Sequence, residues 1–477
     1  MSKNSDPDGI RLPIKLDTTS NGEFAPRALS PREKNICKLA LQQATERARR
    51  TNVTRRQFMV SLCGAASTLA TLNFAQAAAK KPVFFALGED AAMDPQAAED
   101  ALGKREFIFD VQGHYLRPGG HMAKKAGCAG ANEVLQRDYM ACIGTDAFIK
   151  DVFLDSDTDM MVLSFVPSAR DSEPLTIEEA DATRKIVDEM EGTHRLLIHG
   201  RVNPNQQGDV ADMERLAGFG VSAWKTYTQW GPDGKGFYMD DDIGLAFIEK
   251  ARELDVRNIC IHKGIPFGQS SYKHSTCRDI GVVAKRFPDV NFLIYHSGWV
   301  PGQAEGPYDP DRAEGADQLI TSLKANGLGK KSNVYAELGS TWRFLSTRDT
   351  ESAAHLIGKL LLHLGEDNIL WGTDSVWYGS PQDQILAFRA FQIPAEMREE
   401  YGYPEITDAI RAKIFGLNAM RPYDISAQEM RRRAAGDKIA RTRLAYEPHA
   451  DPHFLTYGPK TRREFLQLLT LQGGKVS

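Results

Sequence analysis

The chain has 477 residues, 42% of them hydrophobic and 26% charged, with a formal net charge of -4. That balance describes ordinary globular protein and excludes a disordered, fibrous or membrane-embedded chain; nothing in it calls for nucleic acid. The six cysteines (Cys37, Cys63, Cys128, Cys142, Cys260, Cys277) form no CxxC pair, which excludes a zinc ribbon, a thioredoxin-like motif and a dense disulfide framework. A Cys128–Cys142 bridge stays open only for an oxidising compartment, against the commoner reading of isolated cysteines as small buried hydrophobes.

Residues 1–53 are polar and basic, and they lead into TRRQFMVSLCGAASTLATLNFAQAAA (Thr54–Ala79). This stretch resembles a twin-arginine export signal: Arg55-Arg56, Phe58 two positions on, a weakly apolar run, and an Ala-x-Ala site at Ala75-Gln76-Ala77. The resemblance implies a partner, the twin-arginine translocation machinery, and a periplasmic protein exported in the folded state. The run Phe58–Phe74 is diluted by Ser, Thr, Gly and Asn, whereas a stable transmembrane helix needs about 20 strongly apolar residues, so no stable span is expected. Two other readings are an internal amphipathic helix and a lipid-anchored Cys63, the latter disfavoured by Leu62 before it. The pattern TRREFL recurs at Thr461–Leu466, so the apolar run and the alanines carry the reading.

From Phe107 the chain alternates short β-branched or aromatic runs with amphipathic stretches. The runs are FIFDV (Phe107–Val111), DMMVLSFV (Asp159–Val166), HRLLIHGRV (His194–Val202), VSAWKTY (Val221–Tyr227), NICIH (Asn258–His262), NFLIYH (Asn291–His296), NVYAEL (Asn333–Leu338) and NILWGTD (Asn368–Asp374). Segments such as TIEEADATRKIVDEMEG and DDDIGLAFIEKAREL between them have i, i+3, i+4 apolar spacing. From Lys225 to His262 is 37 residues, then 34 to His296, 41 to Glu337 and 37 to Asp374. Eight strand-helix units at a near-constant interval predict a closed (β/α)8 TIM barrel over residues 105–423. A doubly wound sheet is the alternative, but no Gly-x-Gly-x-x-Gly turn follows the first strand. Residues 1–79 then form a long polar leader with its signal. Residues 424–477 form a basic tail, read as one solvated helix, SAQEMRRRAAGDKIARTRL, and an extended end.

Polar residues gather at matching strand ends: His114 past strand 1, Lys225 on strand 4, His262 on strand 5, His296 on strand 6 and Asp374 on strand 8. A closed barrel brings these positions to one mouth. His, His and Asp are ligands of a catalytic zinc site that keeps a position open for water.

The series DVQGH (Asp110–His114), IHKG, YHSGW, WGTDS and FGLNAMRPY (Phe415–Tyr423) resembles the amidohydrolase superfamily, in particular its branch of aminocarboxymuconate-semialdehyde decarboxylase type. The resemblance implies His114, His262 and Asp374 as metal ligands, with Asp374 also general base. His296 would then bind the attacking water or the substrate carbonyl, or join a second metal. Where the branch has a first histidine, this chain has Gln112, a neutral and poorer donor. Gln112 either still contacts the metal through oxygen or is replaced by a contribution from Lys225, and one divalent ion, zinc, is expected rather than two. Lys225 stands where binuclear relatives carry a carboxylated lysine; the other readings are a charged group binding substrate and a structural ion pair.

Tyr227, Trp299, Arg343 and Trp377, with Lys225, are the expected substrate contacts. Tryptophans at strand ends suggest a pocket for a flat acid, ester or lactone, and Arg343, Arg201 and Arg170 could anchor its carboxylate. The first expectation is a metal-dependent hydrolase of an ester, lactone or amide. A non-oxidative decarboxylase of an unsaturated or aromatic acid is the alternative, and a barrel that binds ligand without chemistry is the third; for any of them a homo-oligomer stays open.

Overall fold

The computed structural model describes residues 6–115, 144–189, 194–266 and 272–471. Cys128 and Cys142, and with them the bridge considered above, lie outside these residues.

Eight strands follow one another around a parallel sheet: β1 (Phe109–Gly113), β2 (Met160–Leu163), β3 (Leu196–Arg201), β4 (Ala223–Tyr227), β5 (Asn258–His262), β6 (Asn291–Tyr295), β7 (Val334–Glu337) and β8 (Ile369–Leu370). Each lies within a run expected from the sequence, except that β1 reaches two residues further. The sheet closes on itself: Val111 N donates to Trp371 O at 3.0 Å, Asp374 N to Gln112 O at 2.9 Å, and Gly113 bridges Ser375 in parallel. The fold is a (β/α)8 barrel. Strand β8 is short, though backbone bonds to β1 continue past it, and at Asp374 the chain leaves the extended region with φ +57°.

Strand parity decides what each residue faces. Phe109, Val111, Met160, Val162, Ala223, Cys260, Leu293, Tyr295, Tyr335 and Leu370 fill the barrel interior in one cluster. Ala419, Met420 and Tyr423 join them from the chain that closes the strands' N-terminal end, where Asn258 Nδ2 donates to Pro422 O at 2.8 Å. Their neighbours of opposite parity, among them Trp224, Ile259, Ile261, Phe292, Ile294 and Trp371, belong to the outer core under the helices. Full burial of a Leu, Ile or Phe side chain contributes roughly 1.5–3 kcal/mol, so both layers resist any slip of register.

Residues 6–79 pack on the barrel. After an extended stretch come α1 (Pro31–Arg50), α2 (Arg55–Met59) and α3 (Leu62–Ala78). A capping box of Ser30 and Glu33 opens α1, and Ala65, Ala66, Leu69 and Leu72 of α3 enter the main core. Arg55 Nε donates to Asp8 O at 2.9 Å, and Arg56 pairs with Asp451 at 2.7 Å. Among the described residues no helix is long and apolar enough to cross a membrane.

The basic tail differs from the single helix expected. It forms Ala427–Ala434 and Lys438–Tyr446, divided at Gly436-Asp437, where Asp437 caps the second helix by accepting from Ala440 N at 2.8 Å. Asp437 also pairs with buried Arg195, so the break in the helix gains a charged contact to the barrel. Residues 454–460 then meet the chain past β8, where Tyr457 N and Gly458 N donate to Trp377 O at 2.8 and 2.9 Å, and a last helix, Arg462–Leu471, follows.

Candidate active site

The inward parity of β4, β5 and β7 turns Lys225, His262 and Glu337 into the barrel, with Lys225 in register with Cys260 and Tyr227 with His262, and the chain just past β6 and β8 adds His296 and Asp374; all five are buried. His262 donates its Nε2 hydrogen to Ile265 O at 2.7 Å, and His296 donates its Nδ1 hydrogen to Gly339 O at 2.7 Å. A carbonyl only accepts, so the other nitrogen of each neutral ring holds a lone pair. Those two nitrogens, His262 Nδ1 and His296 Nε2, face each other at 3.1 Å. Burial holds the His262 pKa well below its usual range and that of His296 down to about 4, so neither ring takes up a proton at neutral pH.

The same situation recurs on the other side of the mouth. His114 Nδ1 donates to Ser164 O at 3.1 Å, which turns its Nε2 toward Asp374 Oδ1 at 3.0 Å. Gln112 Nε2 donates to the same Oδ1 at 2.9 Å, while Gln112 Oε1 is buried without a partner. Asp374 Oδ2 accepts from Asn21 Nδ2 at 2.8 Å and from the Ser340 hydroxyl. Burial alone would raise the Asp374 pKa, but His114, His296 and Ser340 hold it below the ordinary value. Asp110, the first residue of DVQGH, stands apart: it accepts from Gln112 N at 3.0 Å and from Thr373 N at 3.1 Å, joining β1 to the end of β8.

Converging lone pairs and carboxylate oxygens in a buried mouth repel one another unless a cation lies among them. The donors present, imidazole nitrogen and carboxylate oxygen, are those of a divalent metal such as zinc, and each ring is oriented by a backbone carbonyl on its other nitrogen. The residues therefore fit a metal. Backbone strain gathers here too: His296, Ser297, Ser340 and Asp374 all have positive φ, between 54° and 64°.

Lys225 Nζ is buried without a hydrogen-bond partner among the described residues, 3.6 Å above the Tyr295 ring centre and 4.7 Å from that of Tyr227. Burial brings its pKa down to about 8. The ion pair offered for it above has no counterpart among the described residues. Tyr227 stacks on His262 with ring centres 4.4 Å apart. Trp299 stacks on Phe344 at 5.7 Å, and Trp377 is buried under Tyr457 and Gly458, which donate to its carbonyl. Arg343 is committed to the N-terminal segment, donating to Lys15 O at 3.1 Å and pairing with Asp17 at 2.9 Å. Arg170 and Arg201 both pair with Asp209. The tryptophans do not form one pocket: parity turns Trp224 outward, where its Nε1 donates to Val256 O, and Trp342 packs on Phe388 and Phe391.

Three contributors escaped the sequence reading. Glu337 ends β7 at the interval already measured, and that spacing was a usable signal. It accepts from His296 N at 3.0 Å and Gly339 N at 2.6 Å, and burial raises its pKa to about 8. Asn21 and Glu23 come from the leader, where no local signal marks them. Glu23 Oε1 lies 3.6 Å from His262 Nδ1, and Oε2 lies 4.0 Å from His296 Nε2.

The amidohydrolase family profile matches residues 150–425, more than half of the chain. No curated protein matches it. Among solved structures it is similar to 2,6-dihydroxybenzoate decarboxylase from Rhizobium, with 17% identity over 67% of this chain and 99% of that one, TM-score 0.42. It is similar to 5-carboxyvanillate decarboxylase from Novosphingobium aromaticivorans, complexed with manganese and 4-hydroxy-3-methoxy-5-nitrobenzoic acid. The identity there is 12% over 72% of this chain and 99% of that one, TM-score 0.42. A protein from Pseudomonas putida designated a 2-pyrone-4,6-dicarboxylic acid hydrolase shows 14% identity over 67% of this chain and 98% of that one, TM-score 0.39.

Proposed function

Since this chain belongs to the amidohydrolase family, we propose that its barrel mouth holds one divalent cation, zinc, and hydrolyses an ester, lactone or amide of a planar, carboxylate-bearing substrate. The observation that carries the proposal is the facing pair His262 Nδ1 and His296 Nε2, 3.1 Å apart with both other nitrogens bound to carbonyls. His114, His262 and Asp374 would hold the cation, which supplies Lewis-acid polarisation of a carbonyl and activation of water.

The chain's own groups do the rest. Asp374, kept ionised by its neighbours, accepts the proton of water as the new C–O bond forms and returns it to the leaving oxygen or nitrogen as the old bond breaks. His296, neutral and fixed by Gly339 O, offers its Nε2 lone pair to orient that water. Lys225, which makes no hydrogen bond among the described residues, binds a substrate carboxylate or carbonyl oxygen. Tyr227 and Trp299 each have one face covered, by His262 and Phe344, which leaves the other face of each for a flat substrate. Export by the twin-arginine route, on the residues of Thr54–Ala79, belongs to the same proposal.

The experiment is metal analysis of the purified chain with a panel of carboxylates, lactones and amides. About one equivalent of metal is expected, together with acidification of weakly buffered medium by a lactone or ester. Less than about a tenth of an equivalent after incubation with zinc or manganese would overturn the metal site. Release of carbon dioxide without acid would replace hydrolysis by decarboxylation.

A further inference from the structure

Building on the cation site proposed above, we infer that Glu23, brought to the barrel mouth by the N-terminal segment of residues 13–24, is itself a ligand of that cation. It supplies the anionic donor that β1 lacks at Gln112. Gln112 donates through Nε2 to Asp374, and its remaining donor atom, Oε1, is a neutral amide oxygen, so Gln112 offers the cation no anionic ligand beside His114. The two facing imidazole lone pairs are approached by one carboxylate of the described residues, that of Glu23, at 3.6 Å and 4.0 Å.

This placement is built rather than incidental. Asn21 Oδ1 accepts from Glu23 N at 3.0 Å, and Asn21 Nδ2 donates both to Glu23 Oε2 at 2.6 Å and to Asp374 Oδ2 at 2.8 Å. One amide thus spaces two buried carboxylates around the mouth. Gly22 permits the turn with φ +88°, and Ser20 Oγ accepts from Gly22 N at 2.9 Å. Phe24 stands edge-on to Phe344 at 4.4 Å. Further back, Lys15 Nζ donates to Tyr378 O and Ser380 O at 2.7 Å each and pairs with Asp383, while Thr18 and Ser20 bond to residues 459–460. A divalent ion among His262, Glu23 and Asp374 would bridge the segment to the barrel, so cation binding and docking of the segment stabilise each other.

The test is made on the full-length chain with zinc, measuring stoichiometry and affinity against a competing chelator for the wild type, Glu23→Gln and Glu23→Asp. Glu23→Gln is expected to bind zinc about 100-fold more weakly or worse, with Glu23→Asp partly restoring affinity. In parallel, limited proteolysis of residues 13–80 is expected to slow on adding zinc to the wild type and to be indifferent to zinc in Glu23→Gln. Should Glu23→Gln fold poorly, zinc-dependent protection of the wild-type segment decides by itself. Wild-type affinity in Glu23→Gln, or cleavage of the wild type that ignores zinc, overturns the inference while leaving the site in place. A wild type that binds no zinc or manganese overturns the site and the inference together.

Discussion

Lys225 presents a buried charge that makes no hydrogen bond among the described residues, with Glu23, Glu337 and Asp374 attracting it from a distance. Its Nζ is fully buried and lies over two tyrosine faces. Burying an ammonium without a hydrogen bond costs several kcal/mol; the tyrosine faces and the Coulombic pull of Glu23, Glu337 and Asp374 offset part of this, and burial still prevails, bringing the pKa down to about 8. Such a cost is commonly found where activity needs the group. Lys225→Met keeps the stem's volume and removes the charge. The expected outcome is an unchanged or higher Tm with turnover lowered about 100-fold or more, checked by thermal melts beside the substrate panel. Full activity in this variant would remove Lys225 from the machinery. The same logic applies at Glu337, whose carboxylate lies so close to Gly372 that a Cβ there would stand 1.6 Å from Oε1. The glycine of WGTDS is therefore required by a neighbour on β7, a constraint no reading of β8 alone reveals.

At the scale of elements, the strands were legible because each carries its own period and the intervals repeat. The breaks were less so. Gly436-Asp437 is a local stop signal inside a helical pattern, and its force comes from Arg195, 242 residues away. The leader shows the limit most plainly. Its polar stretch with Arg55-Arg56 and the alanines reads locally as an export signal, while α1 to α3 pack as three helices on the barrel with both arginines engaged. Export therefore calls for a direct test. Replacing Arg55 and Arg56 together by lysine is expected to abolish accumulation in the periplasm, measured by cell fractionation; undiminished accumulation would remove the twin-arginine proposal. Cleavage after Ala77 would also carry Glu23 away. A processed chain should then bind zinc as weakly as Glu23→Gln, and this joins the two proposals in one measurement.

For the whole molecule, one buried carboxylate ties three distant parts together. Asp157, just before β2, pairs with Arg389 after β8 at 2.6 Å and with Arg443 of the tail at 3.0 Å, and it accepts from Gln382 at 3.0 Å. Burial acts to raise its pKa, but the two arginines outweigh it and bring the pKa to about 2, below the ordinary 3.8. A folded-state pKa below the unfolded one means stability that is present above about pH 4 and lost as pH falls through about 2. The shift corresponds to about 2 kcal/mol. Asp157→Asn is expected to lower stability at neutral pH by at least that amount and to flatten the loss between pH 4 and 2, checked by denaturant midpoints across that range. An Asn variant with the wild-type acid profile would assign the acid sensitivity to other carboxylates.

What the sequence determined alone was the repeating part: eight apolar runs at regular intervals, the parity that turns His262 and Lys225 inward, and the polar strand ends that meet because a closed barrel leaves them no other place. Those properties lie within a few residues of each other along the chain, where period and spacing can be read. Only the tertiary structure decided what lies over the mouth. Asn21 reaches Asp374 across 353 residues and Arg343 is committed to Lys15 and Asp17 across more than 320. Contacts of that kind have no period, because they arise from the closure of the whole barrel and the docking of a segment outside it.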